Sequence, residues 1–203
     1  MIYISMFKFL FKILIGEIMI KLLYEGILIR ENGIIKKASS SSTLIITDNN
    51  NIIVDTSTKD MENIIIKGLS ELNLSPNDID VVINTHLHYD HIENNPIFKN
   101  ATFYASPKEF GFNDNFEDFK KFKDKEIEII ETPGHTYGSI SVIYKDYVVV
   151  GDASPLKNNI LKMIPPKLNV DEKLALESLK KIRKLRKNVI TGHEGIVYKE
   201  KLL

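Results

Sequence analysis

The sequence predicts an α/β fold in which two β-sheets carry helices on their outer sides. Three observations predict it. Short β-branched runs recur as hairpin pairs, two longer stretches with helical apolar spacing each feed a strand, and every histidine falls at a strand end or in a turn. Consecutive hairpins argue against one all-parallel sheet, because parallel neighbours need long crossovers.

At 203 residues and 23.2 kDa the chain has the length of one domain. Apolar types at 43% and charged types at 27% supply a continuous core and exclude global disorder. Lys plus Arg and Asp plus Glu both number 27, so there is no net field to draw a polyanion. Arginine occurs only at Arg30, Arg183 and Arg186, which leaves few of the rigid forks that suit phosphates and base edges. A small-molecule substrate is therefore expected in preference to nucleic acid, and a homo-oligomer remains open. The lack of cysteine removes disulfides, thiolate nucleophiles and Cys-based metal sites, so any metal must be held by histidine and carboxylates.

Residues 1–23 are strongly apolar, but Lys8, Lys12, Glu17 and Lys21 interrupt them before a run of about 20 apolar residues can form. Neither a transmembrane segment nor a signal peptide with a small-residue cleavage site is expected, and the location read from this is cytoplasmic. Residues 1–18 have two readings. One is an amphipathic helix with Lys8 and Lys12 opposite Phe7, Phe11, Leu14 and Ile18; the other is an extension ahead of a true start at Met19 or Met6. The domain proper is expected over 19–203.

Asn32-Gly33 is a preferred type I′ pair, so Tyr24 to Glu31 and Ile34 to Lys37 are expected as a hairpin. After a polar bend at Ser39 to Ser42, Thr43 to Thr47 and Ile52 to Asp55 form a second hairpin around an Asp-Asn-Asn-Asn turn. Met61, Ile64, Ile65, Gly68, Leu69 and Leu72 have helical spacing over Lys59 to Leu72, which leads into a strand at Asp80 to Asn84. Strands follow at Thr102 to Ala105 and Glu126 to Ile130. The Phe-rich stretch between them, Ser106 to Lys125, either packs inward or walls a substrate site. Ile140 to Tyr144 and Tyr147 to Gly151 form another hairpin, Asp171 to Lys187 an amphipathic helix, and Val189 to Thr191 the last core strand.

Thr85-His86-Leu87-His88-Tyr89-Asp90-His91 sits at the C-terminal end of a buried strand, where α/β sheets place ligand loops. His86 and His88 alternate with Leu87 and can share one side of an extended segment. Asp90 and His91 follow in a turn that can serve a second position a few ångströms away. Imidazole and carboxylate suit zinc or ferrous iron, and two adjacent metals are geometrically plausible.

The chain resembles the metallo-β-lactamase superfamily of hydrolases. The residues that carry the resemblance are HxHxDH at His86 to His91, Pro133-Gly134-His135-Thr136, Gly151-Asp152 and Gly192-His193. Their order and the chain's size most resemble the compact single-domain members, the group that includes metallo-β-lactamase domain-containing protein 1. The resemblance implies an αββα sandwich, two facing mixed β-sheets with helices on the outer faces and the metal site at one edge. It implies a first metal on His86, His88 and His135, a second on Asp90, His91 and His193, and Asp152 bridging both. Family metals are mostly zinc, sometimes iron or manganese. Two cations about 3.5–4 Å apart acidify a bridging water and stabilise the oxyanion of the transition state.

Asp90 is the candidate catalytic residue, orienting the nucleophile or carrying its proton while it ligates. Asp55 either fixes a ligating imidazole or caps the turn that follows it. Tyr89 and Tyr137 flank the cluster. The chain departs from the family pattern at Ile92-Glu93-Asn94-Asn95, where glycine is usual; Glu93 is expected to bring a negative charge near the site and disfavour anionic substrates. It departs again at Ser57, which replaces the glycine of an Asp-Thr-Gly turn. With ten residues after His193, the helical substrate domain of glyoxalase II enzymes is not expected. The function expected is a dinuclear metal-dependent hydrolase of a small ester, thioester or lactone. The alternatives are a phosphodiesterase or ribonuclease, and a non-catalytic metal-binding interaction protein.

Overall fold

The structure is a computed structural model and describes residues 20–202. The two readings of residues 1–18 lie outside the described residues. Among those described, strands run as β1 (Ile20–Tyr24), β2 (Ile27–Glu31), β3 (Ile34–Ser39), β4 (Ser42–Ile46), β5 (Asn51–Val54), β6 (Val81–Ile83) and β7 (Thr102–Ala105). They continue as β8 (Glu117–Asp118), β9 (Ile127–Glu131), β10 (Ile140–Tyr144), β11 (Tyr147–Val149), β12 (Asn188–Ile190) and β13 (Ile196–Val197). The helices are α1 (Glu62–Ser70), α2 (Tyr89–Ile92), α3 (Lys157–Lys162) and α4 (Glu172–Lys184).

Both sheets are mixed. The first has the order β1-β4-β5-β6-β7-β8 and the second β13-β12-β11-β10-β9, while β2 and β3 form a separate ribbon. The side-chain period of two decides which layer each residue joins. On β5, Ile52 and Val54 face the opposing sheet and Ile53 faces α1; on β12, Ile190 faces inward and Val189 faces α4. Ile45, Ile83, Ile140, Val142 and Tyr144 complete the layer between the sheets. α1 lays Ile65 and Leu69 on the outside of the first sheet, and α4 lays Leu179 and Ile182 on the outside of the second. The result is the αββα sandwich.

The helices are shorter than their sequence periodicity suggests. The first opens with a 3-10 turn at Lys59–Met61, and the second begins where Asp171 Oδ1 accepts from the Leu174 amide at 2.9 Å. The first hairpin differs in one respect: Tyr24 ends β1 on the main sheet, and Glu25-Gly26 breaks the chain before β2. The Asn32-Gly33 turn is as expected, with φ of +50° and +81°. The polar bend at Ser39 to Ser42 is buried at all four serines, with Ser39 ending β3 and Ser42 opening β4. The Phe-rich stretch does not wall a substrate site. Phe119 and Phe122 join the sandwich core, Phe103 and Phe112 pack on Phe116, and Phe110 is fully exposed.

Candidate metal centre

The donors lie beyond the C-terminal ends of strands of both sheets. Asp55 follows β5, His86 follows β6, His135 follows β9, Asp152 follows β11 and His193 follows β12. His88 is the residue before the single turn of α2, which carries Asp90 and His91. All seven predicted positions come together, in three overlapping groups whose ligand atoms lie within 4.8 Å of one another: His86, His88 and His135; His86, His91 and Asp152; Asp90, His91 and His193.

In the first group His88 Nδ1 is 3.1 Å from His86 Nε2 and 3.0 Å from His135 Nε2. Asp152 reaches both sides. Its Oδ2 is 3.5 Å from His135 Nε2, and its Oδ1 is 3.1 Å from His193 Nε2 and 3.5 Å from His91 Nε2. Asp90 Oδ2 stands 3.6 Å from His193 Nε2. A side chain at position 192 would block this convergence, because a Cβ there would sit 2.2 Å from Asp152 Oδ1. Gly192 is therefore a requirement of close approach.

In three of the five rings the outer nitrogen shows how the inner one is prepared. Nδ1 of His135 donates to the Leu168 carbonyl at 2.8 Å, and Nδ1 of His193 to the Ser39 carbonyl at 2.9 Å. A carbonyl only accepts, so the proton sits on Nδ1 and the Nε2 lone pair points inward. His91 Nδ1 makes the same kind of contact with Asp55 Oδ2 at 2.8 Å. Asp55 also accepts from the Thr85 amide at 2.8 Å and the Thr85 hydroxyl at 2.7 Å. It thus holds a site imidazole and braces the turn before His86 from across the sheet, rather than capping the turn after itself.

Burial pushes His91 toward the neutral form, but the carboxylates of Asp55 and Asp152 outweigh it and hold its pKa well above the usual histidine range. His193 is raised in the same way, with Asp152 outweighing burial. Burial, and then the neighbouring His91 and His135, push His86 well down, and burial lowers His88. Burial opposes ionisation of Asp152, yet His193 and His91 keep it well below the usual carboxylate range.

Two atoms test whether the donors suit metal or merely pair with each other. Among the described residues, His91 Nε2 and Asp152 Oδ1 are buried and make no hydrogen bond, although they stand 3.5 Å apart. Orphans of this kind cost about 1–3 kcal/mol each. Histidine nitrogens and carboxylates with opposed lone pairs fit two divalent cations, which would satisfy these donors together.

Several site residues carried no sequence signal. Glu109, buried in the Phe-rich stretch, accepts from the Leu87 amide at 3.1 Å and from the Thr136 hydroxyl, tying the two histidine loops together. The serine run passes beneath the cluster, with Ser40 N donating to the Asp90 carbonyl at 3.0 Å and the Ser41 hydroxyl to that of Thr191 at 2.9 Å. A run of four short hydroxyls can be buried at little volume cost, and that is the one hint the sequence offered. Glu93 does not charge the site. Its carboxylate turns outward to accept the Lys59 amide at 2.9 Å, while Asn94 donates to the carbonyls of Thr56 and Thr58 at 2.8 and 2.7 Å. The positions that depart from glycine stitch the Asp55-Thr56-Ser57 turn to α2.

His88, Tyr89, Asp90, His135, Asp152 and His193 open into a cavity of about 440 Å³. Its other wall comes from the β2–β3 ribbon and the loop around Leu168. Tyr89 is on this wall, whereas Tyr137 is exposed outside it. A larger and more open depression of about 760 Å³, lined by Asn49, Phe119, Phe122 and Ile127 among others, contains none of the seven.

The family model described as Metallo-beta-lactamase superfamily matches residues 36–109, which include the HxHxDH segment. A crystal structure of the Bacillus thuringiensis protein AiiA, with N-decanoyl-L-homoserine bound at its active site, superposes with a TM-score of 0.70 at 19% identity, covering 86% of this chain and 92% of that one. This is the metallo-β-lactamase superfamily fold. A probable metal-dependent hydrolase from Staphylococcus aureus shares that fold, with a TM-score of 0.68 at 18% identity over 86% of this chain and 89% of its own. Among curated proteins, a probable metallo-hydrolase of Methanocaldococcus jannaschii is 33% identical over 127 residues, 50% of this chain and 61% of the relative. An N-acyl homoserine lactonase of Bacillus sp is 27% identical over 158 residues, 68% of this chain and 61% of the relative. The chain thus spans about three fifths of the length of these two curated relatives. Among the described residues, no helix is long and apolar enough to cross a membrane.

Proposed function

We propose that the chain is a dinuclear metal-dependent hydrolase of small esters, thioesters or lactones. The observation that carries this reading is Asp152, whose two carboxylate oxygens turn to two histidine groups at the floor of one cavity. His86, His88 and His135 would hold one divalent ion, Asp90, His91 and His193 the other, and Asp152 both; zinc fits this nitrogen-rich set, with iron or manganese as alternatives. Bound there, the ions would acidify water and polarise a substrate carbonyl.

The chain's own residues do the rest. The Asp55, Leu168 and Ser39 acceptors hold three imidazoles in the tautomer that presents Nε2 inward. Asp90, whose side chain keeps 12% exposure, lines the cavity and is placed to take a proton from water and return it to the leaving oxygen or sulfur. The cavity wall, with Leu28, Ile35, Ala38 and Leu168, excludes bulk water from one side of the reacting group. A lactonase among the relatives supports including lactones in the substrate class.

The test is turnover of a panel of short-chain esters, thioesters and lactones by protein purified without chelator, then stripped, then reloaded with zinc or ferrous iron. Activity that vanishes on stripping and returns on reloading is the expected result. No turnover of any class by protein shown to carry metal would overturn the reading.

A further inference from the structure

The ribbon that walls the cavity carries a charge the donor cluster does not use. Arg30 on β2 lines the cavity beside Leu28, Ile35 and Ala38, and Lys167 lines it from the facing loop. The Lys167 ammonium lies over the hairpin turn, 3.8 Å from where a Cβ on Gly33 would stand. Among the described residues, Arg30 Nε is buried with no hydrogen-bond partner and neither cation has a carboxylate partner. Of the cations elsewhere, Lys21 pairs with Glu71, Lys37 with Asp60, Lys108 with Glu131 and Lys121 with Glu117, each at 3.0 Å or less and at the surface, whereas Arg30 Nε is buried. Leaving a partly buried guanidinium unpaired is costly unless a ligand brings the anion. The acids that line the same cavity, Asp90 and Asp152, belong to the donor cluster, and Glu93 is turned out to the Lys59 amide.

From this arrangement, and resting on the hydrolase reading of the donor cluster, we propose that the substrate carries a carboxylate remote from the bond to be cleaved and that Arg30 receives it. The guanidinium fork suits a planar carboxylate in a bidentate pair, Lys167 adds a second positive charge at the cavity wall, and Leu28, Ile35 and Ala38 contact the methylene chain between the two ends. The substrate class is thus an ω-carboxyacyl ester, thioester or lactone, not a neutral fatty-acyl compound.

Binding tests this without turnover. Calorimetric titrations of the full chain, as purified and after zinc addition, compare straight-chain dicarboxylates from succinate to suberate with monocarboxylates of equal carbon number. Each pair offers the donor cluster the same single carboxylate, so any difference belongs to the far end. For at least one length the dicarboxylate is expected to bind about tenfold more tightly. Arg30→Gln should abolish that preference while leaving the monocarboxylate within about twofold, and Lys167→Gln should reduce it in part. Equal affinities at every length, or a preference that survives Arg30→Gln in a variant with wild-type circular dichroism, would overturn the proposal. Failure of the hydrolase reading would show separately, as absent ester turnover by metal-loaded protein.

Discussion

Replacing Asp55 by asparagine changes one atom at the point where the second histidine group is braced. The backbone there has φ +55°, a conformation asparagine adopts as readily as aspartate, so the substitution adds no backbone strain. The carboxylate accepts three hydrogen bonds, at 2.7 to 2.8 Å, from the Thr85 amide, the Thr85 hydroxyl and His91 Nδ1. Asparagine has one acceptor oxygen. If it keeps the fixed Thr85 amide, its NH2 faces His91 Nδ1 and forces that nitrogen to accept. The imidazole proton then moves to Nε2, and the lone pair aimed at the cluster is lost. Weakening one charged hydrogen bond and disturbing another should cost about 2–3 kcal/mol of stability, seen as a fall of roughly 5–10 °C in Tm. Metal affinity of the group containing His91 should drop about 10- to 100-fold, with that of His86, His88 and His135 held within about threefold. Competition against a chromophoric chelator resolves the two affinities. Unchanged affinity in both, with the protein folded, would refute the bracing role of Asp55.

Two further predictions concern stability. Ser57 stands at φ +60° with its buried hydroxyl unpaired, so Ser57→Gly should relieve about 1–2 kcal/mol of backbone strain against about 0.5–1 kcal/mol of added chain entropy. A rise of about 2–4 °C in Tm is expected, and a fall would show that the serine is held by something other than strain. For Asp124, burial raises the pKa, but the Glu126 amide, Thr47 and Asn50 outweigh it and leave the group below its usual range. The native state therefore binds this proton less readily than the unfolded chain. The stabilisation is fully present above about pH 4 and is lost as pH falls through the depressed native value. Urea unfolding of wild type and Asp124→Asn should differ by about 1 kcal/mol at neutral pH and converge in acid; a gap that widens in acid would reverse the assignment.

The layers of the fold were legible because strand residues facing two different apolar neighbours announce themselves: Ile52, Ile53 and Val54 form an unbroken apolar run because both sides of β5 are covered. The donor positions were legible for a chemical reason. Five histidines in a chain without cysteine all fell beside turns, and the structure brings every one of them to a single edge. What stayed hidden depends on contacts between distant segments. Glu109 looks like any acidic residue in a polar loop until the fold lays it against Leu87 and Thr136, and Arg30 reads as an ordinary polar strand position until the ribbon folds over the cavity. The Ser39 to Ser42 run reads only as a polar bend in the sequence, since the fold supplies the carbonyl and amide partners that let it be buried. Glu93 misled for the converse reason, because adjacency in sequence to His91 did not translate into adjacency in the cavity.

Metal stoichiometry tests the central claim most directly. Elemental analysis of protein purified without added metal or chelator should return about two equivalents of zinc, or of iron or manganese, per chain, and His193→Ala should remove close to one of them. A value near zero that adding metal back does not raise would contradict the dinuclear centre and with it the hydrolytic function.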